Sequence, residues 1–150
     1  MADTTGALRE QLEDVVQGAG FSIVELHWSV VKGRTHVNLV VYRPEGVGVD
    51  DCAEVHRIVR PRIELLLDDR DVALQVASPG IDRIIKENSE FAVFEGRGVK
   101  VLPHTSDTWI AGIIREAGDQ EVMIETADGP ERIEYAEIQK AKLDYTQEVR

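Results

Sequence analysis

The chain carries one cysteine, Cys52, in 150 residues. A lone thiol makes neither an internal disulfide nor a multi-cysteine zinc site, so packing alone must hold the fold, as expected in a reducing compartment. No apolar run approaches the roughly 20 residues that a membrane helix needs. The first ten residues lack the basic and apolar stretches of a signal peptide, so a cytoplasmic location with no membrane partner is expected. Basic residues are also scarce: 17 Lys and Arg stand against 28 Asp and Glu, a formal net charge of -11. Phosphate binding draws on clustered Lys and Arg, so a broad nucleic-acid-holding field is disfavoured and basic proteins are the more natural partners. Division after Ile85 gives 9 basic against 14 acidic residues before it (net -5) and 8 against 14 after it (net -6). Neither half is a basic module.

Several chemical motifs are missing as well. There is no G-x-x-x-x-G-K-[ST] phosphate loop, and neither Gly46 with Gly48 nor Gly96 with Gly98 completes a dinucleotide fingerprint. Asp50, Asp51, Asp68, Asp69 and Asp71 lack calcium-loop spacing, and His27, His36 and His104 lack metal spacing. Helix capping and a solvated loop explain those aspartates better. No metal, no cofactor and no small-molecule substrate is expected. Cys52 and His56 lie four apart on a predicted helix and suggest a nucleophile with its base. No third residue is placed to orient the histidine, and a small core residue is the preferred reading of Cys52.

What is present is a chain that should fold: 43% of its residues are hydrophobic and 30% charged. Leu8, Leu12, Val15, Val16 and Ala19 recur at helical spacing, which predicts a helix over 5–19 stopped by Gly18 and Gly20. Apolar Val24, Leu26, Trp28 and Val30 alternate in 21–31, and Lys32 with Gly33 offers a turn into the β-branched run 35–42, a hairpin. Asp51 followed by Glu54 predicts a capping box for a second helix, with a stripe of Val55, Ile58, Val59, Ile63, Leu66 and Leu67 ending near Asp68. Pro61 inside it should kink the axis without stopping it. A strand over 72–76 runs into Ser78, Pro79 and Gly80, the strongest turn signal in the chain.

After a short helical patch at 89–94 the texture changes to short apolar stretches: 99–102, 109–114, 122–126, 132–135 and 142–145. Gly118 with Asp119, and Asp128 with Gly129, stand where tight hairpins are wanted. The expected class is therefore α+β. An N-terminal α-β-β-α-β domain, KH-like or prodomain-like in its order of elements, spans 1–85, although the G-x-x-G nucleic-acid loop of KH domains is absent. A linker follows at 86–97, then a closed five-stranded SH3-like or Sm-like barrel at 98–150, which shows no conspicuous row of exposed aromatics for base stacking.

Basic residues cluster at Arg57, Arg60 and Arg62, at the hairpin tip with Lys32 and Arg34, and at Arg83 with Lys86. Each cluster is either solvated charge balancing nearby acids or a local phosphate contact. In the segment Val76-Ala77-Ser78-Pro79-Gly80-Ile81-Asp82-Arg83, Pro79 fixes one backbone angle and Gly80 permits unusual ones, so the turn should be rigid and suited to recognition. Asp82 and Arg83 should pair across it or present opposite charges.

This segment resembles the V-S-S-P-G-L-D-R-P-L hallmark of the RimP family of ribosome maturation factors. The resemblance extends to Val49-Asp50-Asp51-Cys52, to Gly20-Phe21 and to Ile138-Gln139-Lys140-Ala141-Lys142-Leu143, in the expected order along nearly the whole chain. Ile84 and Ile85 stand where the family usually has Pro-Leu. The resemblance implies a cytoplasmic, non-catalytic factor that binds the immature 30S small ribosomal subunit and promotes its assembly. The implied partners are a basic small-subunit ribosomal protein and adjacent 16S ribosomal RNA, and a monomer is expected. Candidate ribosome-binding residues are Ser78, Pro79, Gly80, Asp82, Arg83, Lys86, Lys32 and Arg34, with Glu131, Glu134 and Glu137 as candidates for attracting a basic protein. A free-standing RNA-binding module is the alternative.

Overall fold

The computed structural model describes residues 4–148. They form two compact units that divide between Pro79 and Gly80. The first unit has the order α1 (Thr4–Gly18), β1 (Ser22–Val31), β2 (Arg34–Tyr42), α2 (Val49–Leu67) and β3 (Ala73–Ala77). β2 is the central strand, antiparallel to β1 and parallel to β3. A parallel neighbour demands a crossover, and α2 is that crossover.

Both helices place a four-residue repeat against the sheet: Leu8, Leu12 and Val16 from α1, and Val55, Val59 and Ile63 from α2. Alternate residues of β2, Val37, Leu39 and Val41, meet them from the sheet. The predicted alternation of β1 is broken by a bulge between Ile23 and Glu25. The extra residue shifts the register by one, so that Ile23, then Leu26 and Trp28, join the core, while Val30 is 60% exposed. Lys32 and Gly33 both adopt positive φ, 52° and 78°, the signature of a tight two-residue hairpin turn.

The second helix starts three residues earlier than the predicted cap. Gly48 is the N-cap, and Asp51, sitting at the third helical position, accepts a 2.9 Å hydrogen bond from the Gly48 amide. Glycine has no side chain to reciprocate, so Asp51 forms the returning half of a capping box rather than its start. Helix α2 runs through Pro61 without a stop and ends on Asp68, whose φ of 50° is left-handed.

The second unit contains the short helix α3 (Glu90–Val93) and strands β4 (Gly98–Pro103), β5 (Ile110–Ala117), β6 (Glu121–Thr126), β7 (Gly129–Glu134) and β8 (Ile138–Leu143). Residues 83–85 also belong to it: Ile85 donates to the Ala141 carbonyl, the Leu143 amide donates to Arg83, and Ile84 bridges to Lys142. The five strands pair antiparallel in the order β7-β6-β5-β4-β8. The expected closure is corrected here: β7 and β8 end the strand order without pairing with each other, β8 being flanked instead by residues 83–85, so the sheet is open.

It is nevertheless curled. Three residues, Tyr135–Glu137, join the end of β7 to the start of β8, a reach of at most about 14 Å. The outer strands of a flat five-stranded sheet would lie roughly 19 Å apart. The two edges converge at that end, and the intervening 3₁₀ turn takes the place of a ladder between them. Inside the curl lie Phe91, Phe94, Val99, Val101, Ile114, Val122 and Ile124, all buried. Gly112 is required where β5 crosses β6, because a Cβ there would overlap the Glu125 carbonyl.

Candidate functional site

The predicted recognition turn leaves β3 at Ser78 and Pro79 and enters the second unit at Gly80. Ser78, Gly80, Asp82 and Lys86 are exposed, and the turn is closed by the Arg83 amide donating to the Gly80 carbonyl at 3.1 Å. Arg83 does something different from its neighbours. Its side chain is 9% exposed, and its Nε lies 2.8 Å from Oε1 of Glu90, itself 2% exposed. A second contact, from an Arg83 terminal nitrogen to Glu90 Oε2, measures 3.3 Å. The same carboxylate oxygen accepts from the backbone amides of Lys86 and Glu87, at 3.2 and 3.1 Å.

Arg83 forms a buried fork with Glu90, a partner that the expectation for Asp82 and Arg83 did not include. One carboxylate gathers a guanidinium and two main-chain N–H groups and fixes the path of residues 83–90. Charge-assisted, bidentate bonds of this kind set geometry as well as energy. Glu90 was not legible as a site residue, because its importance depends on burial, which a short polar stretch does not signal.

The hairpin tip is a separate place. β2 and β3 run parallel, with His36 beside Ala73 and Val40 beside Ala77. Lys32 and Arg34 therefore lie at the end of the sheet where β3 begins, and Ser78 and Pro79 lie beyond the opposite end. Arg34 holds Asp71 at 3.3 Å, and Thr35 donates to Asp69 at 2.7 Å. The Thr35 hydroxyl, helped by the Asp71 amide, holds the Asp69 carboxyl below its usual range. Most of the α2 cations are also balanced locally: Arg57 meets Glu54 at 3.7 Å and Arg60 meets Glu64 at 3.1 Å.

Cys52 and His56 lack the geometry of a nucleophile with its base. Burial, with a further contribution from Asp51, pushes the Cys52 thiol up, away from the thiolate that nucleophilic attack requires. No hydrogen bond joins Cys52 to His56 among the described residues. Among those residues, no group of three His, Cys, Asp or Glu side chains is placed to hold a metal ion, and no helix is long and apolar enough to cross a membrane.

A second feature of the second unit, around Trp109, was not foreseen from the sequence. Trp109, half-buried at the head of β5, lies under two ammonium groups, Lys100 Nζ at 4.9 Å and Lys140 Nζ at 5.7 Å from the ring centroid. Together with Lys142 and the exposed Ile84 they line a depression of about 200 Å³. Lys140 also borders a neighbouring depression of about 120 Å³ with Lys86, Asn88 and Gln139. The available signal was the two-residue spacing of Lys140 and Lys142 about the buried Ala141, which puts both on one sheet face.

Residues 11–82 match the model of the RimP N-terminal domain. The chain is similar to the RimP family. Relatives named "Ribosome maturation factor RimP", from Borrelia hermsii (strain HS1 / DAH), Borrelia turicatae (strain 91E135) and Borrelia recurrentis (strain A1), are each 28% identical over 132 residues. Those alignments cover 88% of this chain and 90% of each relative, so the likeness reaches through both units. The matched N-terminal segment ends at Asp82, inside the turn that precedes the Arg83–Glu90 fork.

Proposed function

We propose that this chain is a ribosome maturation factor that binds the immature 30S small subunit and promotes its assembly without catalysing a reaction. The observation that carries this reading is likeness to the RimP family, with relatives named as ribosome maturation factors aligned over 88% of the chain. The raised Cys52 thiol favours a binding role over a cysteine nucleophile. A cytoplasmic monomer is proposed, contacting a basic small-subunit ribosomal protein and adjacent 16S ribosomal RNA. In its second unit the curled sheet takes the part of the SH3-like or Sm-like module.

The exposed Ser78, Gly80, Asp82 and Lys86 are the proposed ribosome contacts, with Pro79 and the forked Arg83 holding their shape. Lys32 and Arg34 form a second proposed contact at the far end of the first sheet. The exposed Glu131, Glu134 and Glu137 are proposed to draw in the basic protein through complementary fields. The factor would stabilise a binding-competent arrangement of the immature particle and leave when maturation removes its preferred surface. Co-sedimentation with purified immature and mature small subunits tests this. Preferential binding to the immature form is expected, and equal binding to both would refute it.

A further inference from the structure

Only five lysines occur in the whole chain, and three of them, Lys100, Lys140 and Lys142, surround the single tryptophan of the second unit. Their placement is unusual in energetic terms. In the β4–β8 ladder Lys100 stands directly opposite Lys142, and Lys140 lies two positions along the same face. Like charges directly opposite one another destabilise a sheet unless something of opposite sign offsets them.

No carboxylate of the described residues does so at close range. Eight arginines hold carboxylates within 4.0 Å, whereas Lys100, Lys140 and Lys142 hold none among the described residues. The field of Lys100 reaches Asp144, but that carboxylate is held down chiefly by the Thr146 hydroxyl and is also bonded by Gln147. In a chain with a net charge of -11, the patch is a local reversal of sign that lacks an anion.

We propose that Lys100, Trp109, Lys140 and Lys142 form a docking platform for single-stranded RNA, with one base stacked on the Trp109 indole and the flanking phosphates on the lysines. An acidic peptide would need the lysines but not the indole. A single strand uses both, because every base offers a π-face while the backbone supplies the charge. The two ammonium groups now over the ring are on flexible stems, and an exposed ammonium–indole contact is weaker than a base–indole stack. The lysines can therefore move to phosphate as a base takes the ring. The exposed Ile84 forms an apolar rim beside the stacking position.

The proposal rests on the ribosomal reading and adds an RNA-contacting surface distinct from residues 78–83. It is tested with the full chain and fluorescein-labelled oligouridine and oligoadenosine decamers, read by anisotropy across a salt series and by tryptophan quenching. Both decamers should bind. Trp109→Ala should weaken binding by about five- to 150-fold, one base–aromatic stack, and Trp109→Phe should retain most of it. Each of Lys100→Gln, Lys140→Gln and Lys142→Gln should lower the log–log salt slope by about 0.7.

Absence of decamer binding, or a triple lysine variant that is folded by circular dichroism and binds as before, would overturn the platform. So would a polyglutamate decamer that binds as tightly and ignores Trp109→Ala, since that outcome assigns the surface to an acidic protein. Retained co-sedimentation of the triple variant with immature subunits would overturn the platform while leaving the maturation reading intact. Decamer binding that is lost in the variants, in a chain that ignores immature subunits, would support the platform and remove that reading.

Discussion

The Arg83 guanidinium and the Glu90 carboxylate meet at 2.8 Å while nearly sealed from solvent. Two further donors, the Lys86 and Glu87 amides, bond the other oxygen of that carboxylate, Oε2. Removing one partner of such a buried pair leaves a charge with neither water nor its counter-ion, which costs about 3–5 kcal/mol. Arg83→Ala and Glu90→Gln should each lower stability in urea unfolding by an amount of that order. Asp82→Ala, at an exposed position, should change it by less than about 0.5 kcal/mol. Equal effects at 82 and 83 would show that the fork does not organise the segment.

Loss of ribosome binding in Arg83→Ala therefore has a structural cause to be separated from a contact. Lys86→Gln and Asp82→Ala keep the fork and test the exposed turn itself. Their co-sedimentation with immature subunits should fall while urea midpoints stay put. Unchanged binding in both folded variants would move the contact surface away from the turn.

The core of the first unit makes a simpler prediction. Leu12, Val59 and Leu39 are fully buried in one cluster fed by α1, α2 and β2. Leu12→Ala should destabilise by about 2–5 kcal/mol through lost burial and the cavity left behind. Cys52→Ser, on the half-buried side of α2, should leave subunit binding intact. Loss of binding in a stably folded Cys52→Ser would revive thiol chemistry.

Close strand crossing predicts intolerance at Gly112. Any side chain there meets the Glu125 backbone, which cannot yield as a side-chain tip would. Gly112→Ala should lower the urea midpoint, whereas an alanine at Gly18, with open space around it, should not. A neutral Gly112→Ala would mean that β5 and β6 can part without cost.

Two aspartates contribute to the acid side of the stability profile. The Thr35 hydroxyl lowers Asp69 and the Thr146 hydroxyl lowers Asp144, so both are harder to protonate folded than unfolded. Their contribution is fully present above the ordinary aspartate value, about 3.9, and is lost as pH falls through the depressed folded values. Urea unfolding between pH 6 and pH 2 should show a shallower acid loss in Thr146→Val than in the unaltered chain. Superimposable profiles would contradict the role given to Thr146.

The parts of the fold that repeat were legible in the sequence. Leu8, Leu12 and Val16 announce α1 by spacing alone, and Val99 and Val101 announce β4. Small shifts of register and of helix boundary were not legible. The bulge at Ile23 changes which side of β1 faces inward, and Gly48 rather than Asp51 caps α2, because turn geometry and register depend on the neighbouring chain. The open edge between β7 and β8 was hidden for the same reason: strand pattern reports which face is buried, not which edges pair. Within the candidate site, Pro79 and Gly80 were visible as local turn chemistry. Glu90 emerges only with its burial, and the clustering of Lys100 with Lys140 and Lys142 around Trp109 only when residues distant in sequence come together.

Likeness to the RimP family underlies the proposed role in ribosome assembly, and the most direct measurement of that role is a sucrose-gradient profile of ribosomal particles from cells depleted of this chain. Depletion should accumulate small-subunit precursors with unprocessed 16S ribosomal RNA, and re-expression of the intact chain, but not of Asp82→Ala with Lys86→Gln, should clear them. A depleted strain with a normal ratio of mature small to large subunits would contradict a role in maturation.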